Sequence, residues 1–134
     1  MVKISAVVRN ARSHHEVVVS TAGAAQFVAV PPKLAGAGSA VNGGEFLMLA
    51  IATCYCNDLY REAARLGISI ESVEVEADGE FPGVGLAATN IRYKAKVTSS
   101  ASAAAIAELL SQTDAVAEIH NTVRLGVPVI LEGT

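Results

Sequence analysis

Two stretches of the chain alternate strictly between apolar and charged residues. Val73, Val75 and Ala77 interleave with Glu74, Glu76 and Asp78, and Ile91, Tyr93, Ala95 and Val97 interleave with Arg92, Lys94 and Lys96. A period of two marks a half-buried strand. An acidic outer face on one strand and a basic one on the other suit antiparallel neighbours, and the plainest use of these charges is a solvated sheet face. Nearer the N-terminus, Val2–Arg9, His15–Thr21 and Gln26–Val30 are β-branched and bounded by turn formers, which predicts a small meander. Val127–Leu131 has the same character and predicts a closing strand.

The other pattern is helical. After a loop over 31–44, which holds two prolines and four glycines, Asn42 is placed to cap a helix, with Glu45 three residues on in a capping-box spacing. Gly67 supplies the stop after Leu66. A helix of about 22 residues, or ~33 Å, is expected. Its first half is apolar on every side, while its second half carries Asp58, Arg61, Glu62 and Arg65. It should enter as a buried central element and leave into solvent. Residues Ser102–Gln112 predict an alanine-rich helix and Asp114–Val123 a shorter one, ending toward Gly126. Runs of strands and runs of helices argue for an α+β fold with a mostly antiparallel sheet. No internal repeat or linker interrupts the 134 residues, which fit one domain over 1–134.

Composition narrows the function classes. Charged residues are 17% of the chain and the net charge is −3, so no basic stripe is present to neutralise phosphates and nucleic acid is not an expected partner. The longest nearly uninterrupted apolar run, Phe46 to Cys56, is well short of the ~20 residues that span a bilayer. The N-terminus lacks the features of a signal peptide. Two cysteines without a disulfide framework point to a reducing cytoplasm. An apolar fraction of 51% is high for this length and suggests a further buried surface, most simply a homodimer interface.

Both cysteines, Cys54 and Cys56, sit midway along the long helix. Two helical positions turn a side chain by about 200°, so they face nearly opposite ways and do not form a disulfide without unwinding. Residues three, four and seven positions away share a face with Cys54, which brings Ile51, Asp58 and Arg61 to it. Arg61 favours a thiolate and Asp58 opposes it, so a deciding charge must come from elsewhere, with Arg12 and His120 as the candidates. Each residue also has a plainer use. Either cysteine can fill core volume, Glu45 can serve the helix start, and His120 can be a satisfied or surface histidine. His120 has no second ligand at metal spacing, and His14 and His15 point to opposite faces of a strand, so neither metal nor cofactor is expected. The glycines of 36–44 miss the Gly-x-Gly-x-x-Gly spacing and read as a flexible loop.

The string Asn42-Gly43-Gly44-Glu45-Phe46-Leu47-Met48-Leu49-Ala50-Ile51-Ala52-Thr53-Cys54 resembles the start of the central helix in the OsmC/Ohr family. Ser72-Val73-Glu74-Val75 is similar to the strand that follows it there. Asn121-Thr122-Val123-Arg124 and Gly126-Val127-Pro128-Val129 are similar to the family's C-terminal region. The resemblance implies an intertwined α+β homodimer with two sites at the subunit interface, and thiol-dependent reduction of organic hydroperoxides. It also implies a second cysteine four residues before the Asn-Thr pair, where this chain has Ala117, and a glutamate ten residues before the first cysteine, where it has Gly44 followed by Glu45. An arginine from an N-terminal segment, Arg9 or Arg12 here, should complete the site.

Two functions are therefore expected. One is a stress-response peroxidase in which Cys54 attacks the peroxide, aided by Glu45, Arg12, Asp58, Arg61 or His120, and is recycled by an external thiol reductant. The other is a non-catalytic homodimer that binds a small apolar or anionic ligand at its interface, consistent with Ala117.

Overall fold

A computed structural model describes residues 1–12 and 14–133. The fold is α+β, with two antiparallel sheets and a long helix. The chain falls into two compact units, Met1–Phe46 and Leu47–Thr134. Among the described residues no helix is long and apolar enough to cross a membrane.

The first unit is the expected meander: β1 (Ile4–Ala11), β2 (His14–Thr21) and β3 (Ala24–Phe27), paired in that order. Thr21 pairs with Ala24 across a two-residue connection, Ala22-Gly23, in which both φ angles are positive. A tight hairpin needs that geometry to follow the strand twist. The third strand lies earlier than its β-branched residues suggested, because the turn sets the register and pairing ends at Phe27. After the loop, Asn42 and Glu45 form a reciprocal capping box: the Glu45 N–H donates to Asn42 Oδ1 at 2.8 Å, and the Asn42 N–H donates to Glu45 Oε1 at 3.0 Å. Helix α1 (Gly43–Leu66) starts there.

The second unit carries the rest of α1, the hairpin β4 (Ser72–Glu80) and β5 (Thr89–Thr98), and helices α2 (Ala103–Val116) and α3 (Glu118–Leu125). The register realises the charge pattern of the strands, since Glu74 faces Lys96, Glu76 faces Lys94 and Asp78 faces Arg92. The inner residues Val73, Val75, Tyr93, Ala95 and Val97 pack against a core of Tyr55, Leu59, Ala63, Leu109 and Ala117. Tyr55 buries its ring and donates its hydroxyl to the Leu110 carbonyl at 2.7 Å.

Three expectations are corrected. The charged half of α1 does not simply leave into solvent, because Asp58 and Glu62 are among its buried residues whereas Leu49 in the apolar half is 55% exposed. Arg61 and Arg65 explain this, since they pair with the two carboxylates and let them pack inward. The two C-terminal helices divide at Ala117 rather than near Asp114: Ala117 is extended, with ψ of 107°. No glycine or proline marks that break. The carbonyls it frees are taken up by Asn121 Nδ2, which donates to Ala115 O, and by Arg124 Nη1, which donates to Asp114 O. Finally, Val127–Leu131 forms no strand, and Val129 and Leu131 are almost fully exposed. Its composition favours a strand, but among the described residues it pairs with none.

Candidate functional site around Cys54

Cys54 lies in the middle of α1, half-buried, with its backbone fixed by the helix on either side. Asp58 is one turn further on the same face, and its Oδ2 is 3.7 Å from the Cys54 sulfur. From the start of α3, Glu118 brings Oε2 to 3.8 Å from the same atom. The backbone N–H of Ile119 lies near enough to the sulfur to favour its charged form. Each carboxylate uses its second oxygen for Arg61, whose Nη1 is 3.0 Å from Asp58 Oδ1 and 3.9 Å from Glu118 Oε1. Arg61 extends to Glu62 at 3.4 Å, and Arg65 holds Glu62 from the other side at 2.9 Å. The carboxylates therefore stand between the sulfur and the guanidinium.

Burial pushes the Cys54 thiol above its ordinary value, and the charges of Asp58 and Glu118 push it the same way against the Ile119 N–H. Asp58 is itself raised, by burial and then by Glu118, with Arg61 opposing. Asp58 and Glu118 thus form a closely placed pair that can accept the sulfur's proton. Donor atoms of Cys54, Asp58 and Glu118 lie within 4.8 Å of one another, a grouping with metal-ligand chemistry that the sequence reading did not foresee. Arg61 already pairs with Asp58 at 3.0 Å and reaches Glu118 at 3.9 Å, so a cation there would compete with it.

Each expected residue has a definite place. Asp58 and Arg61 are beside Cys54 as helical spacing predicted. Glu45 and Arg12 belong to the first unit, where Glu45 is engaged in the helix cap and Arg12 adopts a positive φ of 51° after β1. Cys56 is half-buried and free. His120 is not the satisfied or surface histidine of the plainer reading: it is 4% exposed, and neither ring nitrogen has a hydrogen-bond partner among the described residues. It packs edge-on to Tyr93, with ring centroids 4.4 Å apart, and tilted to Tyr55 at 5.7 Å. Burial, then the Arg124 charge, lowers its pKa. Beside it, Tyr93 donates to Asp114, which Arg124 also holds at 2.7 Å. The same histidine lines a cavity of about 120 Å³ with Ile51, Ile91, Tyr93, Val123 and Arg124.

Glu118 is the neighbour of Cys54 that helical spacing does not reveal. Its signal was its place next to Ala117, the position at which the resemblance expects a thiol facing Cys54. Ala117 is fully buried in the core against which Cys54 packs. The family model for OsmC-like proteins matches residues 36–132. The chain belongs to the OsmC-like family. No curated protein sequence matches it. Its fold is similar to that of an OsmC-like protein from Mycoplasma pneumoniae, with a TM-score of 0.59, 18% identity, and coverage of 92% of this chain and 87% of that one. An OsmC-like protein of unknown function from Vibrio cholerae gives a TM-score of 0.58 at 15% identity, covering 90% and 92%. The organic hydroperoxide resistance protein OsmC from Legionella pneumophila gives 0.57 at 16%, covering 90% and 89%. At these identities the likeness is one of fold.

Proposed function

We propose that this OsmC-like protein is a single-cysteine hydroperoxide reductase in which Cys54 is the reacting thiol. The observation that carries this reading is the approach of two carboxylates to 3.7 and 3.8 Å from the Cys54 sulfur, where either can accept its proton, in a chain whose fold is shared with a hydroperoxide resistance protein. The sulfur attacks the terminal peroxide oxygen as its proton passes to Asp58 or Glu118. The O–O bond breaks, the alkoxide takes a proton and leaves as the alcohol, and Cys54 becomes a sulfenic acid. With alanine at 117 and Cys56 turned to the opposite side of the helix, the sulfenic acid is resolved from outside the chain. A first external thiol condenses with the sulfenic acid and releases water, and a second displaces Cys54 from the mixed disulfide. In this reading residues 1–134 act as one domain of a cytoplasmic homodimer.

Exposed apolar side chains support the dimer: Leu49 in α1 is 55% exposed, and Val129, Ile130 and Leu131 toward the C-terminus are 99%, 77% and 96% exposed. A monomer by light scattering at micromolar concentration would remove that part of the proposal. The chemistry is tested by brief exposure to an organic hydroperoxide followed by a sulfenic-acid-specific diketone and peptide mass spectrometry. The adduct is expected on Cys54 and absent from Cys54→Ser; an adduct on Cys56 alone would defeat the assignment.

The raised thiol and Ala117 favour a second reading, a non-catalytic homodimer that binds a small apolar or anionic ligand. It predicts no adduct at either cysteine.

A further inference from the structure

We propose that Asp58 and Glu118 make the Cys54 site select its reaction partners by charge, accepting uncharged or cationic peroxides, thiols and disulfides and excluding anionic ones. This rests on the reading of Cys54 as the reacting thiol. The inference comes from the order of groups around the sulfur. Both carboxylates turn one oxygen toward it, at 3.7 and 3.8 Å, and the other toward Arg61. An incoming molecule that touches the sulfur therefore meets negative charge first, with the guanidinium behind it. Glu118 is 69% exposed and stands at the solvent side, whereas Asp58 is buried. The positive charge is also shared, because Arg61 and Arg65 both serve Glu62. A carboxylate or sulfonate carried near the reacting atom is repelled on approach, and an ammonium is attracted, by an amount that mobile salt reduces. A thiol that recycles Cys54 should then carry no carboxylate close to its sulfur.

The test is single-turnover modification of the full chain in a Cys56→Ser background with three ethyl methanethiosulfonates bearing trimethylammonium, hydroxyl or sulfonate. In each, the Cys54 thiolate attacks the sulfenyl sulfur, the S–S bond forms, methanesulfinate departs, and the thiol proton is lost to solvent. Rates are divided by those of the same chain in denaturant, which removes intrinsic differences between reagents. The expected order is cationic, neutral, anionic, with about ten- to a hundredfold between the extremes. Glu118→Gln should shrink that ratio severalfold, and so should raised salt. A folded-state ratio equal to the unfolded one, or a ratio unchanged in Glu118→Gln, overturns the proposal. Because the exchange needs no peroxide, a protein that fails to turn over peroxide yet keeps the charge order loses only the peroxidase reading. One that turns over peroxide without the charge order loses only this inference.

Discussion

Replacing His120 with phenylalanine should stabilise the protein, and more so in acid. His120 is 4% exposed with both nitrogens unpartnered among the described residues, so it carries an energetic penalty that a purely apolar ring would not. A buried polar group without a partner costs about 1–3 kcal/mol. Phenylalanine keeps the stacking on Tyr93 and Tyr55 while deleting both nitrogens. Its extra volume would cost about 1–3 kcal/mol in a closed core, but the neighbouring cavity of about 120 Å³ gives it room. A net gain of about 1–2 kcal/mol is expected, which for a chain of this size raises Tm by roughly 3–10 °C. The pH dependence has a definite sign. The folded-state pKa of His120 is lowered from 6.5, so the unfolded chain holds the proton more tightly. Stability tied to this residue is fully present above pH 6.5 and is lost as pH falls through the folded value. The variant lacks that loss, so its advantage should widen on acidification. Urea unfolding of both proteins above and below pH 6.5 measures it. A variant that is less stable at both pH values, with an unchanged gap, would show that the nitrogens are satisfied in the folded protein.

Other substitutions test separate parts of the structure. Leu59→Ala empties a site that is fully buried and should cost about 2–5 kcal/mol in chemical denaturation. Asn42→Ala removes the side-chain acceptor of the capping box at the start of α1 and should cost about 1 kcal/mol, with the loss seen as faster hydrogen exchange in the first turn. Ala117→Cys places a thiol in the core cluster beside Cys54; it should cost about 1 kcal/mol in overpacking and close a disulfide under mild oxidation, read as loss of two titratable thiols. Retention of both thiols would place position 117 out of reach of Cys54. Because burial and the two carboxylates hold Cys54 above its ordinary value, its alkylation rate should still be climbing at pH 9 and above. A plateau near neutral pH would contradict that environment.

The alternating charges at 74–78 and 92–96 made the antiparallel pairing of β4 and β5 legible, because opposite charges stabilise neighbouring antiparallel strands. The capping box was equally legible, being local in sequence. The break at Ala117 was not, since it depends on bonds from Asn121 and Arg124 back to residues 115 and 114. The burial of Asp58 and Glu62 likewise required knowing that Arg61 and Arg65 accompany them. Within the site, helical spacing found Asp58 and Arg61. Glu118 is 64 residues from Cys54 and comes to it only through the packing of α3. His120 was named, but its lack of partners is a property of the folded core that no spacing rule contains.

The central claim is that Cys54 is a reacting thiol, and the most direct test is stopped-flow consumption of an organic hydroperoxide with excess dithiol by wild type, Cys54→Ser and Cys56→Ser. Turnover is expected in wild type and Cys56→Ser, rising with pH, and none in Cys54→Ser. Turnover unaffected by Cys54→Ser, or absent from wild type, would contradict that claim.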